Sequence, residues 1–287
     1  MDYISTLAVT ANAFAKQMGY LVNRYQVLSL TEACALLEQN KTLDKDCVVI
    51  TCDDGYADNY TRGQPVFERF KIHPTIYLTT GYIDSQDRIW HDQVDYVARN
   101  SRRASFNLEY LGVTTTLSNN TDKSDLAYIL MQKIKRMPPA DRQELLGLIA
   151  SELDTADDGS GNELLTWPEV RLLAQAGCEI GAHTVTHSVM SSLTQAKARE
   201  ELINSKAAIE KETGRPCRHF AYPDGNLKDI DARCESLVRE IYRSAVTTEP
   251  GVNYPGCDLH RLRRIGVIKE MDVVYLKVKI LMTKLLK

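Results

Sequence analysis

LTWPEVRLLAQAGCEIGAHTVTH, residues 165–187, is the part of the sequence that decides the fold. Its first half predicts a helix, because Thr166 and Glu169 have the spacing of a capping box and Pro168 suits the first turn. Gly177 is the residue type that most often follows the last turn of a helix, so we expect the helix to end there. A strand-like run follows at once, and this order of elements is typical of α/β proteins.

The second half of this stretch predicts a strand that ends at a pair of histidines. The run CEIGA, residues 178–182, has the length and apolar character of a buried strand. His183 follows it directly, and His187 lies four residues further on. The strand therefore delivers two imidazole groups to one edge of a sheet.

The same alternation continues along the chain. Further strands are predicted at 47–52, 74–80, 217–222, 243–248 and 262–268, and further helices at 31–39, 58–70, 195–212 and 229–241. Ser29 and Glu32 form a second capping box, and Pro65 indicates a break or a late start in its helix. About six strands without a Gly-x-Gly-x-x-Gly fingerprint or a phosphate loop favour a barrel of parallel strands over a nucleotide-binding sheet.

Residues 92–160 have a different character. Helical patterns at 125–136 and 139–153 are followed by the polar run DTADDGSGN, residues 154–162. We interpret this region as a helical insertion closed by a surface loop. The length of 287 residues is consistent with one domain spanning 1–287 that includes this insertion.

Composition excludes several classes of function. A net charge of -3 and a pI near 6.1 do not favour nucleic acid as a partner. The seven cysteines are an odd number without a Cys-x-x-Cys pair, which disfavours both a cysteine zinc site and a disulfide framework. Free cysteines favour a reducing compartment, so we expect a cytoplasmic protein. The sequence does not indicate an oligomeric state.

The last segment raises the question of a membrane. The chain has no apolar run of the roughly 18 residues that a span needs, and Met1-Asp2-Tyr3 lacks the basic start of a signal peptide. Residues 273–287, VVYLKVKILMTKLLK, contain four lysines and no acid. This pattern predicts a basic amphipathic helix, the kind of helix that can lie on the inner face of an anionic membrane. A last helix that packs its apolar face on the core is the more common arrangement for such a pattern, and we expect it here, with contact to a membrane as the alternative.

Three polar clusters follow predicted strands, where a parallel barrel carries its catalytic residues. In the first, TCDDG, the adjacent carboxylates of Asp53 and Asp54 repel each other unless a cation or a shared proton intervenes. A divalent metal would bind one and orient the other. The alternative is a turn, because Asp-Gly is a common turn pair.

The second cluster, HTVTH, contains His183 and His187. Two imidazoles and one carboxylate form an open three-ligand site with room for water and substrate. The alternative is a pair of structural histidines. The third cluster is FAYPDG, residues 220–225, whose turn can direct backbone N–H groups at an oxyanion. Here the alternative is a turn without a function.

Taken in order, the three clusters resemble the motifs of the polysaccharide deacetylases, the NodB-homology or carbohydrate esterase family 4 group. TCDDG is similar to the family's Thr-Phe-Asp-Asp-Gly, HTVTH to His-[Ser/Thr]-x-x-His, and FAYPDG to an Arg/Phe-Pro-x-Gly turn. The similarity extends over residues 8–268. It implies a distorted (β/α) barrel with fewer than eight strands and the hydrolysis of an N-acetyl group on a polysaccharide or a lipid-linked sugar.

The resemblance also implies roles for individual residues. Asp54, His183 and His187 would bind a divalent metal, zinc in the first place and cobalt or nickel as alternatives. Asp53 would act as the general base, and the backbone N–H near Asp224 would help to hold the oxyanion. Residues expected to contact the N-acetylated carbohydrate are Tyr222, Pro223 and Trp90.

The sequence departs from the family pattern in ways that matter for catalysis. Ala221 stands where many members have an arginine that orients the base, and the substitute would be Arg264, with Arg261 as the other candidate. Cys52 replaces a phenylalanine, and Asp224 replaces a tyrosine. A late Leu-x-His motif, the usual source of the general acid, is not present after residue 262.

The general acid therefore has no assigned residue. A subgroup with a FAYP-type third motif has a Tyr-His pair on an N-terminal strand, and this chain begins with a segment similar to the part after that strand. We expect that strand to precede Met1 in a longer sequence, or His260 or His91 to substitute. Two further hypotheses follow: a catalytically impaired member that binds metal and carbohydrate, and an amidase or peptidase that acts on a non-sugar amide.

Overall fold

Strands and helices alternate along the residues that the computed structural model describes, which are 9–39, 45–116, 120–155, 164–269 and 271–285. The strands are β1 (Gln26–Val27), β2 (Cys47–Val48), β3 (Thr51–Cys52), β4 (Thr75–Leu78), β5 (Ser105–Leu108), β6 (Val113–Thr116), β7 (Glu179–Ala182), β8 (His219–Ala221), β9 (Ser244–Pro250) and β10 (Leu262–Arg264). The helices are α1 (Ala11–Arg24), α2 (Leu30–Glu38), α3 (Gln64–Phe70), α4 (Trp90–Arg99), α5 (Asn120–Ile134), α6 (Pro139–Glu152), α7 (Trp167–Gln175), α8 (Gln195–Thr213), α9 (Ala232–Ile241) and α10 (Val273–Leu285).

Six strands form one parallel sheet in the order of the chain: β3, β4, β7, β8, β9 and β10. Among these six strands, spatial neighbours are also consecutive in chain order, so the sheet does not reverse its order as a doubly wound sheet does. The sheet curls into a half-barrel, and the predicted distorted barrel of fewer than eight parallel strands is confirmed.

The strands bury both faces, as parallel sheets do. Between the outer face and the helices lies a large apolar cluster that includes Leu78, Phe220 and Tyr242. The inner face has a smaller cluster, which contains Leu30, Cys34, Tyr77, Ala221, Val246 and Leu262. Since two of these residues belong to α2, this helix closes the inside of the half-barrel.

Polar side chains at the first residues of two strands hold α2 in place. The carboxylate of Glu179 accepts hydrogen bonds from the backbone N–H groups of Leu30, at 2.9 Å, and Thr31, at 3.1 Å. The Nε2 of His219 lies 2.9 Å from the hydroxyl of Thr31. The N-terminal edge of the sheet is therefore used for stability, and the C-terminal edge remains for chemistry.

The chain divides into two compact units, and the insertion forms one of them, within Ser85–Asn162. In it α4 packs against α5 and α6, with Val94, Leu130 and Ile149 buried. The predicted helices are present, but the antiparallel hairpin of β5 and β6 was not predicted. Gly112, at φ 60°, is its turn signal. The polar run 154–162 lies largely outside the described residues.

Most predicted elements have the expected positions, and both capping boxes are formed. The predicted strand at 47–52 is wrong in one respect: it is two strands, because β2 pairs with β1 whereas β3 pairs with β4. The helix predicted at 229–241 begins at Ala232, because the Asp231 side chain accepts a hydrogen bond from the Cys234 N–H and caps it there.

The second unit comprises Val9–Asp84 and Glu163–Lys287 and ends in α10. This helix packs Leu276 and Ile280 against Met18 and Leu21 of α1. Within the described residues, no helix has both the length and the hydropathy that crossing a membrane requires.

Candidate metal centre

The first predicted cluster forms a tight turn directly after β3. Asp54 has a φ of 73° and Gly55 a φ of 85°, so the chain reverses within two residues. A Cβ on Gly55 would lie 2.9 Å from the Leu78 side chain, and only glycine fits there. The two interpretations of this cluster are therefore compatible: it is an Asp-Gly turn, and it places two carboxylates at the end of the strand.

The second cluster forms a loop after β7 that brings both histidines to this turn. Asp54 Oδ1 lies 3.5 Å from Nε2 of His183 and 3.3 Å from Nε2 of His187. The three ligand atoms lie within 4.8 Å of one another, and both histidines are buried. The structure therefore brings together the three residues that the resemblance names as metal ligands.

The hydrogen bond of His183 indicates what this cluster can hold. Its Nδ1 lies 2.7 Å from the carbonyl oxygen of Ala221, which only accepts, so Nδ1 carries the proton and donates. In the neutral ring Nε2 then presents a lone pair to the Asp54 carboxylate. Two acceptors that face each other are stabilised by a cation between them. A metal-binding histidine usually donates its other N–H to a carbonyl or carboxylate in this way, so the donor set fits a divalent ion.

Asp53 points to a different partner. The Arg264 guanidinium donates to both of its carboxylate oxygens, at 2.7 and 2.8 Å. Arg264 is fixed in turn by a 2.8 Å hydrogen bond to the carbonyl of Thr247. Burial by itself would raise the pKa of Asp53, but the charge and hydrogen bonds of Arg264 outweigh it and lower that pKa below its usual value. Asp53 is therefore an ionised carboxylate at neutral pH.

The other arginine candidate lies elsewhere. Arg261 forms an ion pair with Glu235, at 2.5 Å, on the outer side of the sheet. Cys52 packs against the apolar clusters on both sides of β3. Burial raises the pKa of its thiol to about 12, so it is a neutral packing residue where the family has phenylalanine.

The third cluster is a turn that is tied to the strand next to it. Thr248 donates its backbone N–H to the carbonyl of Gly225, at 2.9 Å, and its hydroxyl to the carbonyl of Asp224, at 2.8 Å. Asp224 and Gly225 both have a φ of 59°. Pro223 precedes them. The turn is well fixed, and its role at an oxyanion stays a prediction.

Two of the residues expected to contact sugar, Tyr222 and Trp90, are buried. The Tyr222 ring packs edge-on against Phe220 in the layer between sheet and helices. Trp90 is the first residue of α4 in the inserted unit, with the Arg142 guanidinium 4.7 Å from its ring centroid. Their contacts with substrate stay predictions.

The histidines considered as general acids are placed differently. The His260 Nε2 lies 2.9 Å from the carbonyl of Tyr242, just before β9, so His260 belongs to the N-terminal edge of the sheet and not to the site. His91 is in the inserted unit, where its Nδ1 lies 2.9 Å from the Asp92 carboxylate.

One residue at the site was missed. Glu201 on α8 binds the loop between the two histidines. Its surroundings in the sequence, AREELINSK, are typical of an exposed helix face and do not indicate this role.

Comparisons with known proteins agree with the geometry. Residues 40–241 match the family model of polysaccharide deacetylases. The chain belongs to the polysaccharide deacetylase family. Deacetylases of this family are hydrolases of amide bonds that act on N-acetylated carbohydrates, and the predicted family and enzyme class are confirmed.

Similar proteins and solved structures match over most of the chain. A Bacillus subtilis (strain 168) protein named "Putative polysaccharide deacetylase YxkH" is 21% identical over 269 residues, which are 93% of this chain and 68% of that protein. The Streptococcus pyogenes deacetylase PplD, solved in complex with acetate, has a TM-score of 0.63 at 18% identity and covers 95% of this chain and 88% of its own. IcaB from Ammonifex degensii has a TM-score of 0.60 at 17% identity, with 95% and 89% covered. At these identities the structures support the fold alone.

Proposed function

We propose that this deacetylase removes the acetyl group from an N-acetylated sugar of a polysaccharide or a lipid-linked precursor, and that it needs a divalent metal. The observation that supports this most is the convergence of Asp54, His183 and His187 on one buried point, beside a carboxylate that Arg264 keeps ionised. We expect zinc as the metal, with cobalt or nickel as substitutes, because two imidazoles and one carboxylate accept all three.

The residues of the chain divide the reaction between them. A bound divalent cation would polarise the acetyl carbonyl and lower the pKa of a bound water. Asp53 takes the proton of the attacking water, and Arg264 holds its carboxylate in the required orientation. The backbone N–H near Asp224 donates to the oxygen on which negative charge develops. The carbon–nitrogen bond then breaks, the leaving nitrogen takes up a proton from a donor that has no assigned residue, and the products are acetate and a free amine.

The test is acetate release from N-acetylglucosamine oligomers and from lipid-linked N-acetylated sugars. We expect release that stops when a chelator removes divalent ions and returns when zinc, cobalt or nickel is added. Full release in the presence of the chelator would contradict the proposed metal dependence.

The same assay separates the alternative functions. Binding of metal and oligomer without acetate release would support the catalytically impaired member. Hydrolysis of N-acetylated peptides in preference to sugars would support the non-sugar amidase. The unassigned general acid is the reason for keeping the first alternative, since His260 lies at the other edge of the sheet.

We further propose that α10 contacts the cytoplasmic face of an anionic membrane. Although Leu276 and Ile280 pack on the core, the helix also exposes large apolar side chains: Val274, Tyr275, Val278, Leu281, Met282 and Leu285 are 48–75% exposed. Residues 273–287 contain four lysines and no acid, which suits a negatively charged lipid surface. All seven cysteines are free thiols, as expected in a reducing compartment.

Leu281→Glu should weaken sedimentation with vesicles of phosphatidylglycerol and phosphatidylcholine by about tenfold or more, because burying one leucine contributes ~2 kcal/mol. The matched control is Leu172→Glu on α7, since Leu172 is also an exposed leucine, at 47% against 61% for Leu281. Equal sedimentation of the two variants and the original protein would contradict a membrane-binding face.

A further inference from the structure

The loop between the two histidines is held by its carbonyl groups on one side. Thr80 donates its backbone N–H to the carbonyl of Thr184, at 3.1 Å, and Gly81 donates to that of Val185, at 2.9 Å. A Cβ on Gly81 would lie 2.6 Å from the Val185 oxygen, so the approach requires glycine. The segment after β4 therefore fixes one side of the loop.

On the other side, a single carboxylate binds the loop's N–H groups. One oxygen of Glu201 accepts from the backbone N–H groups of Val185, at 2.7 Å, and Thr186, at 3.0 Å. Its second oxygen accepts from the Thr186 hydroxyl, at 2.7 Å. Since that hydroxyl donates to the carboxylate, the Ser188 hydroxyl 2.7 Å away donates to Thr186. One side chain therefore holds two consecutive residues of the loop through three hydrogen bonds.

The loop needs this support because of its backbone. Thr184 has a φ of 66° and His187 a φ of 52°. For residues with a side chain, the left-handed conformation costs roughly 1–2 kcal/mol of conformational free energy. A β-branched threonine is among the residues least suited to it. Such a conformation persists when the surroundings determine it. Glu201 binds the two residues that lie between these strained positions.

We propose that Glu201 is a positioning residue that sets the affinity of the centre for its metal by holding the His183–His187 loop in shape. It acts through the backbone of Val185 and Thr186 and is not a ligand. This inference rests on the proposed metal-dependent function. Removal of an outer partner of a metal ligand commonly lowers affinity by about 10–100-fold, and we expect an effect of this size.

Three substitutions separate the hydrogen bonds from the charge. Glu201→Ala removes all three contacts. Glu201→Gln retains them, because the amide oxygen accepts both backbone N–H groups and the amide nitrogen donates to the Thr186 hydroxyl. Glu201→Asp retains the charge but is one methylene shorter. The matched control is Glu200→Ala, since Glu200 is the adjacent residue on α8 and forms an exposed ion pair with Lys197, at 2.8 Å.

The experiment is a titration of the chelator-treated full chain with zinc alone, in competition with a chromophoric chelator and without substrate. We expect Glu201→Ala to bind zinc about 10–100-fold more weakly, Glu201→Gln and Glu200→Ala to bind like the original protein, and Glu201→Asp to be intermediate. Acetate release by Glu201→Ala should then recover at saturating zinc, because its chemistry is intact.

Two results would overturn the inference: unchanged zinc affinity in Glu201→Ala, or a Glu201→Gln variant as weak as Glu201→Ala. If Glu201→Ala does not fold, as judged by circular dichroism, an Asp variant equal to the original protein overturns it instead. Failure of the original protein to bind zinc, cobalt or nickel would refute the proposed metal dependence, which is a distinguishable outcome.

Discussion

Asp53→Asn should lower the rate of acetate release by about 10²- to 10⁴-fold at unchanged zinc content, which is the usual contribution of a general base. The amide that replaces the carboxylate cannot take a proton from water. Zinc content should stay the same, because the ligand cluster consists of Asp54, His183 and His187 and does not include Asp53. The measurement is the turnover number for acetate with the metal content determined on the same sample.

A matched control separates loss of the base from loss of an ion pair. Asp53→Asn also disrupts the paired hydrogen bonds with Arg264. Asp258→Asn disrupts a more exposed carboxylate–guanidinium pair, with Arg239, close to the start of β10 and away from the site. We expect Asp258→Asn to retain turnover and Asp53→Asn to lose it at similar thermal stability. Unchanged turnover in Asp53→Asn would show that another group activates the water.

The choice between Arg264 and Arg261 shows how far the sequence could be used. Side chains alternate between the two faces of a strand, so Arg264 shares the face of Leu262 and Arg261 does not. Leu262 belongs to the inner cluster of the half-barrel, and Arg264 accordingly reaches Asp53. The sequence predicts that the two arginines lie on opposite faces of the strand. Which of these faces lies inside the half-barrel depends on how the whole sheet is arranged.

Local signals were predicted better than non-local ones. The two capping boxes depend on residues three apart and are formed as expected. The division of residues 47–52 into β2 and β3 depends on β1 and β4, which are remote in the sequence. The role of Glu201 also depends on distant residues, because its hydrogen bonds to Val185 and Thr186 span 16 and 15 residues.

The two edges of the sheet use similar residues for different purposes. At the N-terminal edge, the side chains of Glu179 and His219 form hydrogen bonds with groups of α2 and β9. At the C-terminal edge, Asp54 and His183 face each other with acceptor atoms. The pattern of hydrogen bonds, and not the residue types, therefore distinguishes a structural acid–histidine pair from a candidate metal site.

His183→Ala should abolish acetate release at micromolar zinc and reduce zinc affinity by more than about 100-fold. Loss of an outer partner costs about 10–100-fold, and loss of a ligand should cost more. Two ligands, Asp54 and His187, would remain, which is fewer than the three protein ligands of an open zinc site. Zinc content after dialysis and a zinc titration measure the effect without reference to activity.

The matched control for this substitution is His73→Ala. His73 is an exposed histidine just before β4, at the other edge of the sheet, so its loss changes the histidine content but not the cluster. We expect His73→Ala to bind one zinc like the original protein. Undiminished zinc content in His183→Ala would refute the ligand assignment, and equal losses in both variants would indicate adventitious binding. Because His183 also donates to the Ala221 carbonyl, circular dichroism must show that His183→Ala retains the fold before its zinc content is compared.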